Sequence, residues 1–292
     1  MEQPILLSYG AGLDSTAIIA MDADRQRASD FLGISLEGLN RALPRFERAV
    51  FSNTGAEFKT TYALVDRVKN LLGDRFTQVS KKGETITEWC LRLGIVPLMP
   101  GGSHICSRKF KGDVLAAWAK QNYPDTPVTW VIGIEADESH RLKRFQPPSG
   151  ETSSFLYPLV ELGMNRETID AMLIHLGWPD VHKSSCVFCP FMSEPELRDM
   201  YFNHPDAWEV AASAEAAFAV MSPAKHERWL AEGQPLNRGG RAPKGMWRKD
   251  SWEEGARLFV KTVDGKRLSV SQWAERFEMS HRDVIPTFRA AA

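Results

Sequence analysis

Small, hydroxyl and acidic residues are concentrated in one short run near the start of the chain, Ser8-Tyr9-Gly10-Ala11-Gly12-Leu13-Asp14-Ser15-Thr16. Glycines at 10 and 12 allow the backbone to approach an anion closely. The hydroxyls of Ser8, Ser15 and Thr16 add hydrogen-bond donors. Because the N–H groups and the positive end of a following helix also favour anions, the run is predicted to bind nucleotide phosphates.

The residues around this run predict a strand, a turn and a helix. Ile5-Leu6-Leu7 reads as the strand, and Ala17–Met21 reads as the buried side of the helix. A Walker loop requires a lysine that is absent here. A dinucleotide fingerprint requires a third glycine where Ser15 stands, and an acid closing the second strand. The pattern therefore favours a phosphate loop of a third type, with an ordinary strand-to-helix turn as the alternative.

Two further motifs follow predicted strands. Asn53-Thr54-Gly55-Ala56-Glu57, with Tyr62 after it, suits the adenosine part of a nucleotide, although a plain turn is the alternative. Gly133-Ile134-Glu135-Ala136-Asp137-Glu138-Ser139-His140-Arg141 follows the fourth strand, and Arg141, Lys143 and Arg144 bring cations there. Phosphoryl groups need such partners, although a solvated basic helix face has the same composition.

The cysteines suggest a metal centre. Cys186-Val187-Phe188-Cys189-Pro190 has the spacing that lets two thiolates meet one metal ion or cluster. Cys106 lies in a basic loop, and Cys90 lies in a helical pattern typical of a buried structural thiol. Thiolates suit zinc, with His104, His182 or water as fourth ligand, or an iron–sulfur cluster. A redox dithiol is the alternative for the Cys-x-x-Cys pair.

Composition excludes several classes of protein. The 292 residues are 43% apolar and carry a net charge of −1, so no global field attracts nucleic acid. Four cysteines are too few for a disulfide framework, which indicates a reducing cytoplasm. We find no signal peptide and no run approaching the roughly 20 apolar residues that span a bilayer, so no membrane partner is expected.

Strands and helices alternate along the first half of the chain. Strands are predicted at residues 4–8, 48–53, 75–80 and 128–134, and helices at 14–27, 36–43, 60–72 and 111–122. This order predicts an α/β fold with a parallel sheet and helices on both faces. Ligands of such sheets bind at the carboxyl ends of the strands, where the phosphate loop is expected.

The second half of the chain is predicted to be mainly helical. Helices are expected at 165–176, with Asn165 as N-cap and Gly177 beyond its end, after a capping box at Ser193-Glu194-Pro195-Glu196, and over 205–232. One or two short helices are expected within 269–292. We therefore expect a nucleotide-binding domain with the cysteine site at 1–195 and a mainly helical region at 196–292.

Six motifs in this order resemble the phosphoadenosine-phosphosulfate-reductase-like branch of the PP-loop, or N-type, ATP pyrophosphatases. They are Ser8–Ser15, Asn53-Thr54-Gly55-x-Glu57, Cys106-Ser107-x-x-Phe110-Lys111, Gly133-x-x-x-Asp137-Glu138-Ser139-x-Arg141, Tyr157-Pro158-Leu159 and Cys186-x-x-Cys189-Pro190. The resemblance covers about residues 1–195. It implies an adenine-nucleotide α-hydrolase-like sheet and cleavage of ATP between its α and β phosphates, which adenylates an acceptor.

The resemblance also implies roles for individual residues. Asp14, Ser15, Lys111 and Arg141 are the expected catalytic residues, and Asp14 either orients the loop or holds Mg²⁺. ATP is expected to contact Ser8, Tyr9, Gly10, Ala11, Gly12, Asp14, Ser15, Thr16, Asn53, Thr54, Gly55, Gly133, Arg141 and Arg144. Cys106, Cys186 and Cys189 are the expected ligands of a [4Fe-4S] cluster, or of Zn²⁺, through which sulfur is delivered.

Similar enzymes thiolate nucleic acids, which makes DNA or tRNA the expected acceptor and a protein such as a cysteine desulfurase the expected sulfur donor. A local basic patch could contact nucleic acid through Arg238, Arg241, Lys244, Trp247, Arg248 and Lys249. A solvated loop is the alternative for this patch. Whether the chain forms a homo-oligomer is left open.

Three departures from the family pattern matter. Ala11 replaces a common glycine, and Glu135 stands where an arginine is usual. No cysteine follows Cys189, so a sulfonucleotide reductase would lack its nucleophilic thiol. The missing thiol argues against reduction of a sulfonucleotide, which is kept as an alternative function. A non-catalytic nucleotide- and metal-binding subunit of a modification or defence complex is another.

Overall fold

The chain has an α/β fold in which a five-stranded parallel sheet is flanked by helices, followed by a helical carboxyl-terminal part. A computed structural model describes residues 3–95, 97, 106–144, 153–234 and 257–284. Two compact units are present: residues 1–82 with 107–185, and residues 83–106 with 186–292. Several residues considered from the sequence lie outside the described part, namely His104, Arg238, Arg241, Lys244, Trp247, Arg248 and Lys249.

The first unit contains the parallel sheet. Its strands are β1 (Ile5–Tyr9), β2 (Arg48–Asn53), β3 (Phe76–Ser80), β4 (Thr129–Ile132) and β5 (Ser154–Leu156), in the order β3-β2-β1-β4-β5. Leu7 of the central strand lies opposite Ala49 on one side and Val131 on the other. The four predicted strands are confirmed, and β5 is an addition. All strands end at one edge, and the topological switch point falls between β1 and β4.

Helices cover both faces of this sheet, as predicted. They are α1 (Leu13–Ala23), α2 (Arg25–Leu32), α3 (Leu36–Ala42), α4 (Lys59–Leu72), α6 (Asp113–Asn122), α7 (Pro158–Glu161) and α8 (Arg166–His175), with α5 (Ile86–Leu93) in the second unit. Leu7 and Tyr9 point into the core containing residues of α1 and α8, whereas Leu6 packs with Ala119 of α6 on the other face. Burial on both faces explains why β1 reads as an uninterrupted apolar run.

The helix predicted at 14–27 is wrong in its length, because Asp24 divides it. The backbone of Asp24 leaves the helical region at φ −136°, and its side chain accepts a hydrogen bond from Arg27 N–H. Aspartate competes well for such cap positions, so α1 ends and α2 begins here. The helix predicted at 111–122 is also modified, because a π-helical turn, Cys106–Gly112, precedes α6.

Several predicted helix ends are confirmed. Asn165 caps α8 by accepting a hydrogen bond from Thr168 N–H at 3.0 Å, and Gly177 follows the helix with φ 82°. Ser193 and Glu196 form the predicted capping box of α9 (Glu194–Asn203). These ends depend on local side-chain chemistry, which is why the sequence alone predicts them.

The second unit is built around the long helix α10 (Pro205–Ala231), with a short hairpin of β6 (Thr262–Val263) and β7 (Lys266–Arg267) before α11 (Val270–Val284). The described part of 269–292 therefore holds one helix. Glu215 of α10 is buried and accepts hydrogen bonds from Leu258 N–H at 2.7 Å and Val270 N–H at 2.8 Å. None of the helices in the described ranges combines the length and apolar character needed to cross a bilayer.

Candidate functional site

The turn between β1 and α1 is closed by the Ser15 hydroxyl. This hydroxyl accepts a hydrogen bond from Gly10 N–H at 3.2 Å and donates to the Gly12 carbonyl at 3.4 Å. Gly12 is the N-cap of α1, and its carbonyl accepts the first helical bond, from Thr16 N–H at 3.0 Å. The N–H groups of the first helical turn have no intrahelical partner, so they remain available to an anion.

Ala11, at the tip of the turn, has a left-handed backbone. Its φ is 54°, and its side chain is buried. A residue with a Cβ atom adopts this conformation at a cost of about 1 kcal/mol. Strained backbone of this kind clusters at ligand-binding turns.

Two predicted contact residues support the turn from beneath. Tyr9 is buried, with its ring centroid 6.0 Å from that of Phe51, and burial raises the pKa of its hydroxyl. Thr16 is buried as well, with its hydroxyl 3.5 Å from that of Tyr9. Only backbone groups of these two residues are therefore suited to touch a ligand.

Gly133, directly after β4, lies against the start of α1. A Cβ atom on this residue would lie 2.8 Å from Ser15 N and 3.0 Å from Asp14 C. Both neighbours are backbone atoms, which cannot rotate away. Glycine is required here because the loop after β4 packs directly on the turn between β1 and α1.

Asp14 and Glu135 face the same guanidinium, that of Arg166. Arg166 Nη1 lies 3.4 Å from Asp14 Oδ1, and its Nε lies 3.1 Å from Glu135 Oε2. Neither carboxylate oxygen makes a hydrogen bond to any described residue, although both are buried. Burial is the main cause that raises the pKa of Asp14 to about 6; Glu135 raises it further, whereas Arg166 lowers it.

Arg166 is a site residue that the sequence did not predict. It is the first residue of α8, which packs beside α1. Ala136 N–H donates to the Met164 carbonyl at 2.8 Å and so ties the loop after β4 to the turn before α8. Arg166 brings a positive charge to the loop after β4, where Glu135 stands. The only sequence signal is that an arginine follows the N-cap.

Arg141 lies on a 3₁₀ helix, Ala136–Arg144, that begins right after Glu135. Its guanidinium is paired with Glu138, and both side chains act on the pKa of Asp14, Glu138 raising it and Arg141 lowering it. Arg141 is therefore close enough to Asp14 for its charge to act on that carboxylate. The side chain of Arg144 lies outside the described part of the structure.

The turn after β2 is held by its own side chains. Asn53 Oδ1 accepts hydrogen bonds from Gly55 N–H at 2.8 Å and from the Tyr62 hydroxyl at 3.0 Å. The Thr54 hydroxyl donates to Glu57 Oε1 at 2.9 Å. Burial raises the pKa of Tyr62, which therefore remains a neutral donor.

Lys111 comes to the same turn from the π-helical segment. Its Nζ lies 3.7 Å from Glu57 Oε1, and Glu57 is buried with Oε2 making no hydrogen bond to any described residue. The Ser52 hydroxyl donates to the Phe110 carbonyl at 2.7 Å, which fixes that segment against the end of β2. Lys111 is thus positioned at the edge of the sheet where β1 and β2 end.

All four cysteines belong to the second compact unit, and none forms a disulfide within the described residues. Cys189 N–H donates to the Cys186 carbonyl at 3.0 Å, a turn that suits two thiolates on one metal ion. Burial and the neighbouring Cys106 raise the pKa of Cys90 to about 12, so Cys90 stays a neutral thiol. The part of the chain that the structure describes contains no group of three or more metal-ligating side chains arranged around one point.

A cavity of about 350 Å³ lies at the opposite edge of the sheet, lined by Arg25, Gln26, Leu36, Asn40 and Arg45. The Arg25 guanidinium is already satisfied by Asp22, by Asn40 at 2.9 Å and by the Leu43 carbonyl at 2.7 Å. Its charge is therefore used in holding α2 and α3 together.

No family model and no curated protein matches the chain. The function is therefore inferred from the site itself. That site consists of the turn between β1 and α1, the carboxylates of Asp14 and Glu135, the cations Arg166 and Arg141, and a second turn, after β2, which Lys111 approaches.

Proposed function

We propose that the protein is an ATP pyrophosphatase of the PP-loop type, with an adenine-nucleotide α-hydrolase-like fold, that adenylates an acceptor and releases pyrophosphate. The observation that carries this proposal is the turn from Gly10 to Ser15. It opens a helix at the end of the central strand, beside the switch point of the sheet. Phosphates bind at such places because free N–H groups and the helix dipole point at them.

In this proposal, the β and γ phosphates of ATP lie on the N–H groups of the turn. The adenosine packs near Asn53–Glu57, because β1 and β2 are neighbours and end at the same edge. Arg141 and Lys111 then contact the α phosphate. Arg166 adds a third cation that can reach the phosphates from α8.

Magnesium fits the carboxylates beside the turn. Mg²⁺ prefers oxygen ligands and is usually held by one or two carboxylates together with substrate phosphates. Asp14 Oδ1 and Glu135 Oε2 lack hydrogen-bond partners among the described residues, so Asp14 and Glu135 would hold the ion. The bound ion would neutralise charge on the phosphates. Without a cation, these carboxylates and Glu138 would repel a triphosphate.

The proposed reaction is attack of an acceptor oxygen on the α phosphorus of ATP. The new bond joins that oxygen to the α phosphorus, and the bond to the bridging oxygen of the β phosphate breaks. Pyrophosphate leaves with the electron pair, and the N–H groups of the turn stabilise its developing charge. The product is an adenylated acceptor, from which a nucleophile can displace AMP.

Sulfur is the proposed nucleophile, and nucleic-acid modification is the proposed context. The Cys186–Cys189 turn and the presence of Cys106 in the same unit support a thiolate centre, as a [4Fe-4S] cluster or zinc. The described residues do not form a complete ligand set, so no reaction step is assigned to a metal there. DNA or tRNA is the proposed acceptor, and a cysteine desulfurase is the proposed sulfur donor.

A pyrophosphate-release assay tests the proposal. Wild-type protein with Mg·ATP is offered tRNA, DNA and small acceptors, and we expect release with one of these classes. Asp14→Ala and Ser15→Ala should abolish it, whereas Ser35→Ala, which removes a remote helix cap, should retain it. Thiol-dependent sulfite release from an adenylyl sulfate would support a reductase instead. ATP binding without pyrophosphate release from any acceptor would support a non-catalytic subunit.

A further inference from the structure

A second serine reaches the phosphate turn from the end of the first compact unit. A Cβ atom built on Gly12 would lie 2.9 Å from Ser184 Oγ, 3.5 Å from Ser184 N and 3.6 Å from Ser184 Cβ. Both polar groups of Ser184 therefore lie directly against the N-cap of α1. Gly12 has an ordinary extended backbone, with φ −108° and ψ 179°, so this close neighbour is the structural reason for a glycine there.

The side chain of Ser184 is half-buried, and its hydroxyl forms no hydrogen bond with any described residue. Ser15 differs, because its hydroxyl is committed to Gly10 and Gly12 inside the turn. Ser184 thus offers an O–H and an N–H donor where the turn meets the helix.

Other observations indicate that this corner holds a ligand. Asp14 Oδ1 and Glu135 Oε2 are buried without hydrogen bonds to described residues, and Ala11 keeps a left-handed backbone. Both oxygens face the Arg166 guanidinium, and buried carboxylate oxygens without hydrogen bonds beside a strained turn are typical of a binding site. Ser184 is adjacent to this turn but belongs to a segment remote in sequence.

We propose that Ser184 completes the phosphate-binding turn and donates its hydroxyl and N–H to the terminal phosphates of a nucleoside triphosphate. The inference rests on the proposed function and names one more binding residue of the same site. A hydrogen bond from a hydroxyl to a charged phosphate contributes about 1.5 kcal/mol or more, which corresponds to about tenfold in affinity.

Calorimetric titration with Mg·pyrophosphate tests the proposal on the full-length protein. We expect Ser184→Ala to weaken binding about tenfold relative to wild type. Ser185→Ala is the matched control, because it removes the same group from the next residue, and it should bind within about twofold of wild type. Equal affinity of Ser184→Ala and wild type, or equal losses in both variants, would overturn the proposal.

Gly12→Ala provides a second test of the same contact. The new methyl group would displace the Ser184 hydroxyl, so this variant should lose about as much pyrophosphate affinity as Ser184→Ala. The two losses should not add in the double variant, because they remove one interaction. Additive losses would contradict the proposal, with melting temperatures checking that each variant is folded. If wild-type protein binds neither ATP nor pyrophosphate, the proposed function itself fails and this inference fails with it.

Discussion

Asp14 combines three kinds of influence on the pKa of one carboxylate: burial, two guanidinium groups and two further acids. Its pKa is raised to about 6, mainly by burial, and Arg166 opposes the shift only in part. The ordinary pKa of an aspartate is about 3.9. The folded protein therefore binds a proton at Asp14 more tightly than the unfolded chain does, and ionisation of this group opposes folding.

Replacing Asp14 should change stability in a pH-dependent way. Because the folded pKa is the higher one, wild-type stability falls as pH rises from about 4 to about 6 and stays lower above that. Asp14→Asn removes this loss, so the variant should exceed wild type by about 1–3 kcal/mol at pH 8 and match it near pH 4. Chemical denaturation at the two pH values measures this, with the exposed Asp30→Asn as control. A difference that is the same at both pH values would contradict the assigned cause.

The neighbours of Asp14 should move its pKa in opposite directions. Arg166→Met removes a cation that lowers the pKa, so the pKa should rise above about 6. Glu135→Gln removes a charge that raises the pKa, so the pKa should fall. Carboxyl NMR titration reports both shifts directly. If ionised Asp14 holds Mg²⁺, pyrophosphate release should also increase through about pH 6 in wild type, and Arg166→Met should displace that increase to higher pH.

Gly133 should be the least replaceable glycine near the turn. Its added Cβ would meet backbone atoms of Ser15 and Asp14 at 2.8 and 3.0 Å, whereas one on Gly10 would meet only Ser15 Oγ at 3.8 Å. Gly133→Ala should cost about 2–3 kcal/mol of unfolding free energy, because overpacking at a rigid contact forces the backbone to shift. Gly10→Ala should cost much less. Equal costs in urea denaturation would contradict the close approach of the loop after β4.

At the residue scale, the sequence predicts the location of the candidate site. It does not predict the role of each side chain within that site. Residue types in Ser8–Thr16 predict an anion-binding turn without any tertiary information. The internal role of the Ser15 hydroxyl and the burial of Tyr9 depend on how the turn packs. Arg166 and Ser184 are remote in sequence, and they reach the turn only because the segments that carry them pack against it.

At the element scale, local chemistry and length decide what can be predicted. The capped ends of α8 and α9 follow from Asn165 and Ser193, whose bonding partners lie three residues away. The sequence does not predict the break at Asp24, because the apolar periodicity of a helix continues past this capping residue. Strand β5, with three residues, is too short for an alternation pattern to emerge.

Glu215 should fix the segment before α11 by accepting hydrogen bonds from two backbone N–H groups. Glu215→Ala would leave Leu258 N–H and Val270 N–H buried without their acceptor, at a cost of about 1–3 kcal/mol for each group. Glu215→Gln keeps one oxygen acceptor and should lie between alanine and wild type. Hydrogen exchange at these two amides measures the effect. Unchanged protection in Glu215→Ala would contradict the role of this carboxylate.

At the scale of the whole molecule, each compact unit combines segments that are far apart in the sequence. Residues 83–106 join the second unit, so Cys90 and Cys106 share that unit with Cys186 and Cys189. Hydropathy and turn signals along the chain carry no information about such a grouping. The domain boundary expected near residue 195 stays a prediction, which limited proteolysis can test.

The metal content of the purified protein tests the proposed thiolate centre. Protein purified without oxygen should contain iron and acid-labile sulfide, and Cys186→Ser with Cys189→Ser should lose both. Cys90→Ser is the matched control, because burial keeps that thiol neutral, and it should retain the metal. Colourless wild-type protein with stoichiometric zinc would contradict the cluster and leave a zinc site. Absence of both metals would contradict any metal centre.

The most direct test of the account is a crystal structure of the protein with Mg²⁺ and an ATP analogue that cannot be cleaved between its α and β phosphates. The account predicts the β and γ phosphates against the N–H groups of residues 11–15, with adenosine beside Asn53–Glu57. An empty turn, or a nucleotide bound only in the cavity lined by Arg25 and Arg45, would contradict it.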